Sequence, residues 1–370
     1  MRIGYVLRYW PTLSETFVVR EIAALVRRGI EVEIVAIGHR PDPCPGELGP
    51  LVPVFRPPRG LGGWRLASSA LSLATPGARA VARRWLHLLR PKDAVRALWL
   101  AELASARGWD RLHAHFAGEA AVWAAAAAQR CGLPSSVTVH ATDLFRPHPG
   151  LPAVLHAARP AITVCRHHQR WIARHHGVEA VVVRCGVEPE RYPQASPGRD
   201  PVRWICVARD VPKKGLDGLV TAITAIGGSL RLVSDAIRLG GPGVLAGPLP
   251  AARIPGVLAN SQVFVLPCRV AEDGDRDGIP VALMEAMAAG LPVVTTDVSG
   301  IGELVDPTVG WWLPLDDPPS VVRILRRIQD DPGGRARRGA AARERIRAGG
   351  WTVERQAEEL IERWMDSVAP

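Results

Sequence analysis

The chain carries 46 Lys and Arg residues, and only three of them are lysine: Lys92, Lys213 and Lys214. Two of the three stand side by side in "VARDVPKKGLDG" (207–218), between a proline and a glycine. An apolar run ends at Arg209 and a helical pattern begins near Gly215, so Arg209 and Lys214 fall in a strand-to-helix loop. Such a loop lies at the carboxyl end of a strand, beside the partial positive charge of a helix N-terminus, where phosphate oxygens are well received. A flexible ammonium and a planar guanidinium together suit a diphosphate. The competing reading is a solvated basic loop.

A second constellation occupies "EDGDRDGIPVALMEAMAAGLPVVTTDVSGIGELV" (272–305). Asp277 and Glu285 are eight positions apart. The first lies in a glycine-containing loop, the second in the helix that Pro280 opens. Glu285 stands among Met284, Ala286 and Met287, where a carboxylate must find hydrogen-bond donors. Sugar hydroxyls would serve, and so would the helix's own loop. No HExxH, no Cys/His cluster and no strand-end Asp-x-Asp pair points to a metal. "DGD" (273–275) has that spelling but lies in the loop before the helix. Cys44, Cys131, Cys165, Cys185, Cys206 and Cys268 show no CxxC spacing and read as buried thiols of a reducing compartment.

These residues need a frame. A length of 370 residues predicts two domains, and 47% hydrophobic with 22% charged residues predicts a folded chain. The run 2–10 reads as a strand. A helix follows in "LSETFVVREIAALVRRG", with Ser14 as its N-cap and Phe17, Ile22, Leu25 and Val26 on its apolar side. The run 30–38 is a second strand, and the βαβ order implies a parallel sheet. The pattern recurs in strand 110–117, helix 118–132, strand 135–143, strand and helix over 160–177, and strand 179–188. The second half repeats it with strands at 202–209, 229–235, 262–268 and 292–297, and helices at 215–228 and 280–290. The expected domains are 1–188 and 202–349, joined by a proline-rich linker at 189–201. A C-terminal helix, 350–370, is expected to pack back on the first domain. The fold class is α/β, two Rossmann-like doubly wound domains, with ligands beyond the carboxyl ends of the strands in a central cleft.

The net charge of +10 suits an anionic partner. Nucleic acid is not expected, because no recognised motif or aromatic platform accompanies the charge. A dehydrogenase would want GxGxxG, and "GGPGVLAG" (240–247) lacks that spacing. "RAVARRWLHLLRPKDAVRALWL" (79–100) interleaves basic with apolar residues. It reads either as a helix lying on an anionic membrane or as an ordinary amphipathic surface helix. "MRIGYVLRYW" has no long apolar core, and no uncharged apolar run reaches 18 residues. The expected location is cytoplasmic, peripheral at the inner membrane face.

"ARDVPKKGLDGLV" with "DGDRDGIPVALMEAMAAGLPVVTTDVSGIGELV" resembles the retaining glycosyltransferases of family 4, which have the GT-B fold. "WPTLSETFVVREI", "HAHFAGEAA" and "VTVHATDLF" look like the exopolysaccharide, colanic-acid-type branch, and "RCGVEPERY" like the segment before the linker. The resemblance implies glycosyl transfer, with retention, from a nucleoside-diphosphate sugar to a hydroxyl of a glycan, lipid-linked or small-molecule acceptor. It implies no cofactor and no metal. Arg209 and Lys214 would hold the diphosphate, with Lys213 a helper or a solvated neighbour. Glu285 would bind the ribose hydroxyls. Asp277 would stand where the family usually has a Glu contacting the donor sugar. The backbone N–H groups of Gly278 and Ile279 would meet phosphate or sugar oxygens. His140 would be the active-site histidine near the donor sugar, and Ser14, Glu15 and Thr16 would lie on the acceptor side. Two departures stand out: Asp for Glu at 277, and a shortened segment at 235–255. The alternative they favour is a nucleotide-binding protein of the same fold with little or no transferase activity.

Overall fold

The computed structural model describes residues 1–12, 15–38, 52–58 and 84–367. Ser14, Cys44 and positions 79–83 lie outside them. The chain forms two compact units. The first comprises Met1–Val164, His168–Val183 and Ala357–Pro370, and the second Cys165–His167 and Arg184–Gln356.

Among the described residues the sheet of the first unit has seven parallel strands: β1 Arg2–Leu7, β2 Glu31–Ala36, β3 Val54–Phe55, β4 Arg111–His115, β5 Ser135–Val139, β6 Ala161–Thr163 and β7 Val181–Val182. Their order is β3-β2-β1-β4-β5-β6-β7. β1 pairs in register with both β2 and β4, and its residues from Ile3 to Leu7 are buried, as a strand covered on both faces requires. The helix Glu119–Cys131 buries every residue from Ala120 to Ala128. Its small side chains let it sit close against the helix Pro91–Arg107. Helix Thr16–Arg27 buries Ile22 and Leu25, but Val26 is 38% exposed.

The single helix expected over 79–100 is broken. A 3-10 turn spans Leu86–Leu88, Arg90 is extended, and Pro91 opens a new helix that runs to Arg107. Pro91 has no N–H to continue a helix but is well placed to start one. Trp85 and Leu89 are buried in the unit's own core, and Leu98 is buried as well. The apolar face read as membrane-facing is therefore occupied.

The last helix, Val353–Asp366, brings Trp364 fully into the first unit. The Trp364 ring meets His113 at 5.2 Å and Tyr5 at 6.3 Å between centroids. Arg111 donates to Ser367 Oγ at 2.8 Å, and burial pushes its guanidinium down to about 10.

The second unit holds six parallel strands: β8 Arg203–Val207, β9 Ser229–Val233, β10 Val244–Gly247, β11 Val263–Val265, β12 Val293–Thr295 and β13 Gly310–Trp312, in the order β10-β9-β8-β11-β12-β13. β10 was not foreseen. It follows β9 through 234–243, which contains one 3-10 turn, Ile237–Leu239, where a doubly wound fold usually has a helix. The proline-rich 189–201 segment packs within this unit. Fully buried Arg335 donates to the carbonyls of Pro197 and Arg199 and to Asp200. Ala195 N–H bonds to Ala289 O at 2.8 Å.

Candidate active site

In the second unit the two acidic and basic stretches meet beyond the carboxyl ends of β8 and β11. β8 stops at Val207, and Pro212–Lys214 form a 3-10 turn closed by Gly215. Gly215 has φ +64°, and a Cβ there would lie 2.6 Å from Pro267 O. Only glycine lets the lysine turn press so closely on the segment after β11. Arg269 fastens the same contact, its N–H to Lys213 O at 2.9 Å and its Nε to Pro212 O at 2.8 Å. The acidic loop folds on itself, Ala271 N–H to Asp275 O and Asp275 N–H to Asp273 Oδ1, with Gly274 at φ +81°.

This folding brings the lysines onto the carboxylates. Lys214 Nζ lies 2.7 Å from Asp277 Oδ2, and Lys213 Nζ lies 3.4 Å from Asp277 Oδ1 and 3.0 Å from Asp275 Oδ1. The Lys214 and Asp277 side chains are only 12% and 16% exposed. Burial opposes both charges, yet each partner outweighs that cost. Burial alone would lower Lys214, but Asp277 holds it above the usual lysine value. Burial alone would raise Asp277, but Lys214 and then Lys213 hold it below the usual aspartate value. The Cys268 thiol, driven up by burial, keeps its proton and donates to Asp277 Oδ2 at 3.5 Å. Burial likewise pushes Cys206 up to about 12.

Lys213 is 5% exposed and ion-paired, so the reading of it as a solvated neighbour is corrected. Arg209 lies two residues beyond β8 and is exposed. It is not drawn into the lysine cluster. Instead its neighbour Asp210 is anchored, by N–H to Asp235 Oδ1 at 2.7 Å and by Arg238, which also grips Asp217 at 2.7 Å. Gly278 and Ile279 are buried just before the helix Val281–Ala288, whose N-cap is Pro280. Glu285, half-buried, is the fifth residue of that helix. Asp275 and Cys268 were missed. The "DGD" spelling was weighed only as a metal site, whereas Asp275 is a lysine partner.

The first unit places His140 at the end of β5, extended at φ −111°, ψ 172°, capping a short helix, Ala141–Phe145. Its N–H donates to Asp143 Oδ2 at 2.8 Å, and burial pushes the Asp143 carboxyl up to about 7. His140 Nε2 is 3.1 Å from His115 Nδ1 on β4. His115 Nε2 is 2.7 Å from Glu21 Oε1, which also accepts the Tyr5 hydroxyl at 2.8 Å. Burial holds His140 and His113 well below the usual histidine value, so both rings are neutral near pH 7. Ring nitrogens of His113 and His115 and a Glu21 oxygen lie within 4.8 Å of one another, a spacing that also suits a metal. The His113 nitrogens face Ser136 Oγ at 2.9 Å and Thr138 Oγ1 at 3.3 Å. Glu15 caps helix Thr16–Arg27 and Thr16 is its first residue, with Glu15 N–H on Thr12 O. Glu21 and His115 were missed by sequence reasoning. The clue was a carboxylate inside an apolar helix stripe, the same clue that drew notice to Glu285.

Two family models match the chain: Glycosyltransferase Family 4 over residues 14–191 and Glycosyl transferases group 1 over 202–331. A protein of Salmonella typhimurium named as a colanic acid biosynthesis glycosyltransferase, WcaL, is 31% identical over 362 residues. That match covers 86% of this chain and 88% of the relative. The amylovoran biosynthesis glycosyltransferase AmsK of Erwinia amylovora is 34% identical over 210 residues, covering 49% of this chain and 50% of that one. Among solved structures, Anabaena HepE in complex with UDP and glucose superposes with a TM-score of 0.73 at 16% identity, over 99% of this chain and 100% of that one. At that identity the likeness speaks for the fold alone, which is GT-B. The chain belongs to glycosyltransferase family 4, in the branch of its exopolysaccharide-type members.

Proposed function

We propose that the chain moves a sugar from a nucleoside-diphosphate donor to a hydroxyl of a glycan or lipid-linked acceptor, with retention at the anomeric carbon and without a metal. The observation that carries this reading is the buried Lys213–Lys214–Asp277–Asp275 cluster beyond the ends of β8 and β11. As the glycosidic bond to the departing diphosphate breaks, negative charge grows on phosphate oxygens. A cation held in place beforehand stabilises that charge without reorganising, an effect worth roughly 10²–10³ in rate per donor. Lys214 supplies it, and Asp277 fixes the Nζ while its second oxygen faces Lys213. Arg209, exposed just past the strand end, closes on the diphosphate from solvent. Gly278 and Ile279 offer N–H groups to donor oxygens, Glu285 takes the ribose hydroxyls, and His140 faces the donor sugar. Ser14, Glu15 and Thr16 belong to the acceptor side.

No described helix is long and apolar enough to cross a membrane. With Trp85 and Leu89 buried in the core and Leu88 and Trp99 packed against it, contact with an anionic membrane surface rests on the +10 charge. We place the work at the cytoplasmic face, where the acceptor would be met.

The test is thermal-shift screening with UDP, GDP and ADP and their sugars, followed by proton NMR of the product anomer. A ligand at 100 times its Kd adds about 2.7 kcal/mol of stability. Turnover that survives EDTA, with the donor's anomeric configuration kept, is the expected result. Binding without turnover would return the chain to the nucleotide-binding alternative, and inversion or a requirement for magnesium or manganese would overturn the mechanism.

A further inference from the structure

We propose that Glu21 and His115 are positioning residues that set the tautomer and orientation of His140 through a buried chain of hydrogen bonds, Tyr5–Glu21–His115–His140. The inference deepens the reading above, since it rests on His140 facing the donor sugar.

The polarity of the chain follows from its ends. Burial, and then the charge of Glu21, raise the Tyr5 phenol well above its usual value, so it keeps its proton and donates to Glu21 Oε1. The same oxygen lies 2.7 Å from His115 Nε2. An oxygen that already accepts from Tyr5 is served by a second donor, so the His115 proton sits on Nε2. A neutral imidazole has one donor and one acceptor nitrogen. The acceptor role is assigned to His115 Nδ1, which faces His140 Nε2 at 3.1 Å. The His140 proton is drawn to Nε2, which leaves Nδ1 as its unprotonated nitrogen. Orientation is fixed as well. The His140 ring is packed by Phe116 at 4.6 Å and Phe17 at 5.1 Å between centroids. Phe116 holds a left-handed φ of +66°, a costly conformation for a residue with a side chain, one position after His115. All four members of the chain lie in the first unit, on β1, the first helix, β4 and the end of β5.

His113 is the internal control. It is buried beside His115, 5.2 Å between rings, but its nitrogens go to Ser136 and Thr138 rather than into the chain.

The experiment is nitrogen-15 NMR of the histidine side chains in the full-length protein, paired with steady-state kinetics. In the wild type His140 should carry its proton on Nε2 and show Nδ1 unprotonated; a proton on Nδ1 overturns the proposal without reference to any variant or to transferase activity. His115→Phe should release that preference and lower kcat by about 10–100-fold, as loss of an orienting partner commonly does, with the donor KM nearly unchanged. Glu21→Gln keeps an oxygen that accepts from His115 and should retain the tautomer, whereas Glu21→Leu should lose it. His113→Phe should cost much less than His115→Phe; equal losses would mark a packing effect and defeat the proposal. One equivalent of zinc or iron in the purified protein, lost in His113→Phe, would defeat it in favour of a metal site. A wild type without turnover but with His140 protonated on Nε2 would sustain the chain of bonds and fail only the reading of function.

Discussion

Lys214 Nζ and Asp277 Oδ2 are 2.7 Å apart, although the two residues come from loops after different strands. Each raises or lowers the other's pKa in the direction that keeps both charged despite burial. Asp277 is depressed below 3.8, so its contribution to stability is present above that value and is lost as pH falls through the lower folded value. Lys214 is raised above 10.5, so its contribution is present below that value and is lost as pH rises through the higher folded one. The pair is therefore intact across the neutral range. Asp277→Asn leaves Lys214 charged and unpartnered, which should destabilise the protein by about 3–5 kcal/mol. The difference from wild type should be flat between about pH 5 and 9 and shrink below about 3.8. Denaturant melts at stepped pH measure it, and a difference that persists unchanged under acid would show that the pair is not its source.

Turnover should respond in the same place. Lys214→Ala removes the cation we assign to the leaving diphosphate and should cost roughly 10²–10³ in kcat. Asp277→Glu adds a methylene to a carboxylate already held between two ammonium groups and a thiol. The longer side chain displaces Lys214, and about 1 Å of misplacement costs on the order of 10²-fold. Kinetics with one accepted donor checks both. An Asp277→Glu variant faster than wild type would mean that the native contact is too short.

Gly215→Ala should be worse than its size suggests. It puts a Cβ 2.6 Å from Pro267 O at a φ of +64°. Strain at a left-handed position costs about 1–2 kcal/mol before the clash is counted. The lysine turn must move off the segment after β11, so the donor KM should rise along with the loss of stability. A variant with wild-type Tm and KM would contradict the packing described for this turn.

Much of the frame was legible because parallel strands buried on both faces read as short apolar runs between turn residues, as β1, β8 and β12 do. β10 was not, because "VLAG" is four residues set among glycines with no helix before it to announce a βαβ unit. The helix at 79–100 was joined across Pro91 because its apolar residues keep helical spacing on both sides of the break. The lysine pair was legible by rarity alone. Its partners were harder, since Asp275 reaches Lys213 across 62 residues of sequence and His115 reaches Glu21 across 94. Such contacts are made by strand order, which no local pattern encodes.

Arg335 should prove structural. Its guanidinium caps the final carbonyls of the helix Pro318–Gln329, those of Ile328 and Gln329, and holds Pro197 O as well. Arg335→Met keeps the length and apolar stem but leaves these acceptors unmatched, at about 1–3 kcal/mol for each one that stays buried. Chemical denaturation should show the loss. Donor binding at saturating ligand should survive, because no lysine or carboxylate of the candidate site contacts Arg335. Lost donor binding in a folded Arg335→Met protein would tie the 197–200 segment to the site.

Trp85 separates a core role from a membrane role for the basic apolar segment. Its indole is 1% exposed and its Nε1–H donates to Gln129 Oε1 at 2.7 Å. A helix that docks on lipid would hold such a ring outward, and its removal would weaken vesicle binding while leaving stability nearly untouched. A core ring behaves in the opposite way. Trp85→Ala opens a cavity that its neighbours fill only in part, and aromatic-to-alanine changes of that kind cost about 3–5 kcal/mol. Co-sedimentation with anionic vesicles, if it occurs, should then come from surface arginines and be abolished by salt, since the reach of exposed charges shortens to about 3 Å at 1 M. The expected result is a large fall in Tm for Trp85→Ala with unchanged vesicle binding per folded molecule. A stable Trp85→Ala protein that no longer sediments with vesicles would place this ring on the membrane and not in the core.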